Sequence, residues 1–203
     1  MRAFIVWTIR QQITGPLTAI APATKRHTDP LETRQRVQRI HTLLTDESLD
    51  LRDRVAGSLV LLFAQQTSRV VLLSTDDLQQ RRGRVFLSLG REPLLIPEPL
   101  ATLTQQLKAT PPSVAARTTN AGLQWLFPGR LLGSHLSEDH HERLRKLDIK
   151  SLPARNAAAL NLGQALPAAI LADLLGFAEN TTERWTQLAN GDWTRYAATR
   201  ATR

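Results

Sequence analysis

The 203-residue chain contains no cysteine, a single methionine and a single tyrosine, and aromatic residues make up only 5% of it. Without cysteine there is no disulfide framework, no thiolate metal site and no cysteine nucleophile, which fits a reducing compartment and makes a cytoplasmic chain the simplest reading. A long apolar run is also missing. In the opening MRAFIVWTIRQQITGPLTAIAPATKR, Arg10, Gln11 and Gln12 interrupt the hydrophobic residues before they could span a bilayer, so the stretch reads as neither signal peptide nor membrane anchor. There is no glycine-rich phosphate loop and no nucleophile elbow, which leaves kinase and ordinary hydrolase chemistry without support. His135, His140 and His141 lie near Glu138, Asp139 and Glu142. Adjacent histidines point in different directions on a helix, however, and the i, i+4 pair of a helical zinc site is absent. The segment therefore reads as a solvated helix start, and neither metal nor cofactor is expected.

What the chain does have is positive charge: 26 lysines and arginines against 18 acids, a net +8. That balance favours a polyanionic partner such as nucleic acid over an anionic membrane face. Lysine occurs only at Lys25, Lys108, Lys146 and Lys150. An arginine preference of that kind also follows from genome base composition, so charge alone does not decide the partner. Length and a hydrophobic share of 42% fit one globular domain with appendages.

Along the chain, residues 2–13 suit a short helix ended by Gly15-Pro16, and 14–27 read as a linker. Asp29 as cap, Pro30 in the first turn and Glu32 near the positive end predict a helix whose apolar face carries Leu31, Val37, Ile40, Leu43 and Leu44. From about Asp50, LRDRVAGSLVLLFAQQ is so apolar after Arg54 that it predicts a central, buried helix. The pattern then changes. Val85, Leu87 and Leu89 alternate with Phe86 and Ser88, Arg82-Gly83 forms a turn before them, and Gly90-Arg91-Glu92-Pro93 separates them from Leu94-Leu95-Ile96. This is the pattern of a small antiparallel sheet. Residues 98–109 return to helix, 110–120 form a polar loop, and LQWLFPGRLLG reads as a buried segment closed by a Pro-Gly turn. From Ser137 the chain is helical in four stretches and a short tail. The fold class is mainly α with a small three-stranded antiparallel sheet.

The order of these elements is more informative than any single motif. A buried helix ending in QQTSR, a three-stranded sheet with a basic turn, LFPGR, an arginine-bearing helix at LPARNAAAL, then ADLLGF and a C-terminal tyrosine resemble the catalytic domain of tyrosine site-specific recombinases of the phage-integrase type. The resemblance covers about residues 30–197 and makes 28–203 the catalytic domain. It makes 1–27 a remnant helix of a core-binding domain plus linker. By that resemblance, Arg69 in QTSRVV and Arg155 in LPAR are the two arginines that contact the scissile phosphate of double-stranded DNA, and Arg91 stands in the turn where the family carries a lysine. Leu152 and Phe177 occupy places where histidines are expected. The nucleophilic tyrosine would fall near Thr186 by helix geometry, whereas the only tyrosine, Tyr196, lies further on in the tail GDWTRYAATRATR. Exchange of C-terminal segments into a homo-oligomer is a further implication.

The chemistry of these departures is plain. Paired guanidiniums can hold a phosphodiester and stabilise a pentacovalent transition state. Cleavage also needs a phenolate to attack and an acid to protonate the leaving 5′-oxygen, and arginine releases protons poorly while Leu152 and Phe177 have none to give. The sequence is thus open to three readings: an active recombinase with Tyr196 as nucleophile, a catalytically dead recombinase-like module that binds DNA or another protein, or a structural remnant. Each singled-out residue has a plainer role as well. Arg69 could cap the C-terminus of the buried helix it follows, Arg91 could be a solvated turn charge, and Trp185, Trp193 and Tyr196 could pack as an aromatic cluster. Arg155, at the positive end of a helix, gains nothing from the dipole, which favours a bound phosphate or a buried acid beside it.

Overall fold

The computed structural model describes residues 30–109, 124–129, 134–136 and 140–190. The expected first helix and linker over 1–27, the polar loop over 110–120, Trp193 and Tyr196 lie outside them.

Helix α1 (Thr33–Thr45) packs on α2 (Leu51–Phe63), the central element, in which Val55, Ala56, Leu59, Val60 and Leu61 are all completely buried. Asp50 caps α2 by accepting the Arg52 N–H at 2.8 Å, and Ala64 ends it in the left-handed region. Two details of α1 differ from expectation. It starts at Thr33, not at Pro30, because the Leu31 N–H donates to the Pro153 carbonyl, so the preceding residues strap onto a distant helix and do not form a first turn. Val37 faces solvent, and Arg36 takes the inward place because its guanidinium reaches the Leu61 carbonyl at 2.9 Å.

A short helix, α3 (Thr67–Val70), follows α2 and leads into the sheet of β1 (Leu78–Arg81), β2 (Arg84–Leu87) and β3 (Leu94–Leu95), ordered β1-β2-β3 and antiparallel throughout. Arg82 and Gly83, both with positive φ, make the two-residue hairpin that pairs Arg81 with Arg84. One face of the sheet, carrying Leu78, Val85 and Leu87, enters the main core with α2, with α4 (Leu100–Ala109) and with Leu126 and Phe127. The segment around Phe127 is held by isolated bridges from Trp125 to Ser74 and from Pro128 to His135.

The second half comprises α5 (His140–Lys146), α6 (Ser151–Ala165), α7 (Ala168–Leu175) and α8 (Glu179–Asn190). Small residues bring these helices close. Ala157, Ala158 and Ala159 are buried on α6, and a Cβ at Gly163 would touch the α8 backbone at Trp185 and Thr186. Leu171 and Leu175 of α7 complete the main core.

Candidate nucleic-acid interface

Arg69 is positioned by the chain reversal after α2, which sets α3 beside the end of α7. Gly176, with a φ of 67°, terminates α7 and leaves the carbonyls of its last turn pointing outward. Arg69 satisfies them: Nη1 donates to Gly176 O at 3.0 Å and Leu175 O at 3.4 Å, and Nη2 donates to Leu89 O at 3.1 Å. Arg69 thus caps α7, and not, as expected for its plainer role, the buried helix it follows. A guanidinium has five N–H donors, so Nε–H and one Nη2 hydrogen remain uncommitted among the described residues. The Phe177 ring lies 5.6 Å below the guanidinium carbon.

Arg91 shares a cavity of about 620 Å³ with Arg69, bounded by Gly90, Asp173, Phe177 and Glu179. The turn between β2 and β3 sits hard against α7. A Cβ at Gly90 would collide with the Asp173 carbonyl and the Gly176 nitrogen, and the Glu92 N–H donates to Asp173 O at 3.1 Å. The exposed Arg91 guanidinium lies 3.2 Å from the Asp173 carboxylate.

Arg155 projects from the first turns of α6, and its Nε donates to the Ala64 carbonyl at 2.9 Å, capping α2. Burial, and after it the charge of Arg69, lowers its pKa below the ordinary arginine value. It lines a second cavity, of about 670 Å³, with Thr67, Ser151, His135 and His141. Arg69 and Arg155 thus act on one another electrostatically but line two different cavities, and Arg91 shares the one that Arg69 lines.

His140 also borders this second cavity, yet its side chain is wholly buried and neither ring nitrogen has a hydrogen-bond partner among the described residues. The solvated helix start expected here is corrected. His140 packs on Phe127 and sits 3.5 Å from Asp53, whose other carboxylate oxygen accepts from Arg143 at 2.8 Å. Burial lowers its pKa against the opposing pull of Asp53. Sequence reasoning missed this network because Asp53 and Arg143 are 90 residues apart. Among the described residues no group of histidines and carboxylates could hold a metal ion, and no helix is long and apolar enough to cross a membrane.

The remaining site positions are packing residues or surface. Leu152 is exposed. Phe177 meets Trp185 edge-on, ring centroids 4.7 Å apart, and both pack on Ala64, Ala158 and Ala159. Among the described residues the aromatic partner of Trp185 is Phe177, and the expected cluster with Trp193 and Tyr196 falls outside them. Thr186, near the place expected for a nucleophile, turns its hydroxyl back to the Glu183 carbonyl at 2.8 Å.

No protein-family model and no curated protein sequence matches the chain. Its fold does match solved structures. The Tn1549 transposon integrase in complex with circular intermediate DNA aligns with a TM-score of 0.63 at 14% identity, over 90% of this chain and 70% of that one. XerA recombinase aligns with a TM-score of 0.56 at 13% identity, over all of this chain and 73% of that one. XerH site-specific recombinase, bound to a palindromic difH substrate in a post-cleavage complex, aligns with a TM-score of 0.55 at 13% identity, over 77% of this chain and 48% of that one. The fold is therefore that of a tyrosine-recombinase catalytic domain, mainly helical with a three-stranded antiparallel sheet.

Proposed function

We propose that this chain, folded like a tyrosine-recombinase catalytic domain, is a DNA-binding module of recombination or integration. In this reading it grips the backbone of double-stranded DNA through Arg69, Arg91 and Arg155 and is impaired or inactive in strand cleavage. The observation that carries the reading is the electrostatics around α3. Arg155 is a partly desolvated cation further disfavoured by Arg69, and the described hydrogen-bond partners of both are neutral carbonyl oxygens. In this reading, backbone phosphates at the two cavities supply the missing negative charge and accept the guanidinium hydrogens left over. Duplex DNA is named as the polyanion because the Tn1549 integrase structure is a complex with circular intermediate DNA and XerH is a site-specific recombinase bound to its difH substrate. Impairment follows from chemistry: Leu152 and Phe177 carry no proton to donate, and a guanidinium is a poor general acid.

The test has two arms. Affinity for a labelled mixed-sequence duplex should fall steeply with salt, and Arg69→Ala and Arg155→Ala should each weaken it roughly tenfold and flatten the salt slope. If neither substitution alters binding, the phosphate grip is wrong. In the second arm, a nicked suicide duplex should give no covalent adduct. An adduct that Tyr196→Phe abolishes would establish strand cleavage instead.

A further inference from the structure

The groove that holds Arg69 and Arg91 is not uniformly basic, since Asp173 and Glu179 line it too. Asp173 has a special relation to Arg91. Its backbone carbonyl accepts the Glu92 N–H, the glycine at position 90 lets that backbone approach closely, and its carboxylate lies 3.2 Å from the Arg91 guanidinium. The backbone clamp holds the two side chains opposite each other although Arg91 is 81% and Asp173 41% exposed.

We infer that Asp173 is an internal competitor for the DNA phosphate: its carboxylate occupies the guanidinium of Arg91, and backbone binding at this groove requires exchange of one anion for the other. This rests on the DNA-binding reading and adds to it a residue that sets affinity. The exchange has a thermodynamic signature. When a phosphate displaces Asp173, the freed carboxylate regains a cation from solution, so the net cation release on binding is smaller than the number of phosphate contacts implies. Asp173 therefore both weakens binding and makes it less salt-dependent.

The experiment uses the full chain and the labelled duplex, measured across a salt series for wild type, Asp173→Asn, Arg91→Ala and the double variant. Asparagine keeps the main-chain acceptor, so the turn stays clamped. Asp173→Asn should tighten binding about twofold to fivefold, in line with an exposed ion pair, and steepen the log–log salt slope by up to ~0.9. The gain should vanish in the Arg91→Ala background, because the cation it liberates is gone. Glu179→Gln is the control for charge alone. Among the described residues it has no ion-pair partner, so any effect it has should be the same with and without Arg91.

An unchanged affinity in Asp173→Asn, with Arg91→Ala still weakening binding, overturns the competition and leaves the DNA-binding reading standing. A gain that persists in full without Arg91 also overturns it, reducing Asp173 to diffuse repulsion. An Arg91→Ala variant that binds like wild type removes Arg91 from the interface and the inference with it. A wild-type chain that binds no duplex overturns both readings.

Discussion

Two pairs of arginines do the same backbone work in different surroundings. Arg36 and Arg54, each 7% exposed, hydrogen-bond the carbonyls of Leu61 and of Leu43 and Leu44 at the ends of α2 and α1. Arg69 and Arg155 do so for α7 and α2, but only partly buried. A helix C-terminus carries about half a negative charge on unsatisfied carbonyls, and a guanidinium complements it. In the enclosed pair the structural duty is the whole role. In the open pair part of the fork remains available, so one side chain can both hold a helix end and reach for an anion. The contrast separates stability from binding and can be measured on that basis.

The largest effect falls on the enclosed pair. Arg54→Met keeps the aliphatic stem but strands two carbonyls, and should cost roughly 3 kcal/mol in chemical denaturation, leaving DNA affinity of the folded protein unchanged. A loss below about 1 kcal/mol would show that water or a neighbour replaces the guanidinium. The buried imidazole gives the next effect. His140 has a lowered folded-state pKa, so the unfolded chain binds the proton more readily. Its contribution is fully present above the ordinary value of 6.5 and is lost as pH falls below it towards the folded value, with a slope of at most about 1.4 kcal/mol per pH unit. Denaturation midpoints measured downward from pH 7 should show this slope, and His140→Gln should remove it. Arg155→Met should change stability by no more than about 1 kcal/mol, since a lost hydrogen bond is offset by relief of a desolvated charge, while DNA affinity drops roughly tenfold. Smallest of all, Arg91→Ala should leave stability within about 0.5 kcal/mol and act on binding alone. If Arg54→Met weakened DNA binding, or Arg155→Met unfolded the chain, the two pairs would not differ as described.

Local pattern made much of this fold legible. The apolar run after Arg54 marked the central helix, Arg82-Gly83 marked the hairpin, and the four C-terminal stretches came out as α5 to α8. Contacts made across long stretches of sequence were not legible. Pro30 and Leu31 looked like a helix start because nothing local shows that Leu31 bonds Pro153. Val37 looked buried because periodicity assigns apolar residues inward, whereas Arg36 displaces it to reach Leu61. At the site, the arginines could be picked out but not their carbonyl partners, since Arg69 finds Gly176 after 107 residues and Arg155 finds Ala64 after 91. His140 looked solvated beside its charged neighbours, and only the packing of α5 against Asp53 and Phe127 encloses it.

The missing side chain at Gly90 has a mechanical consequence. Because backbone rests on backbone there, the β2–β3 turn and α7 are fixed against each other. Under the proposed DNA-binding reading, a phosphate that reaches Arg91 would not have to draw a loose loop into order, so little binding energy would be spent on arranging the receptor. Any residue larger than glycine would force the turn and α7 apart, and Arg91 would lose its fixed place beside Asp173.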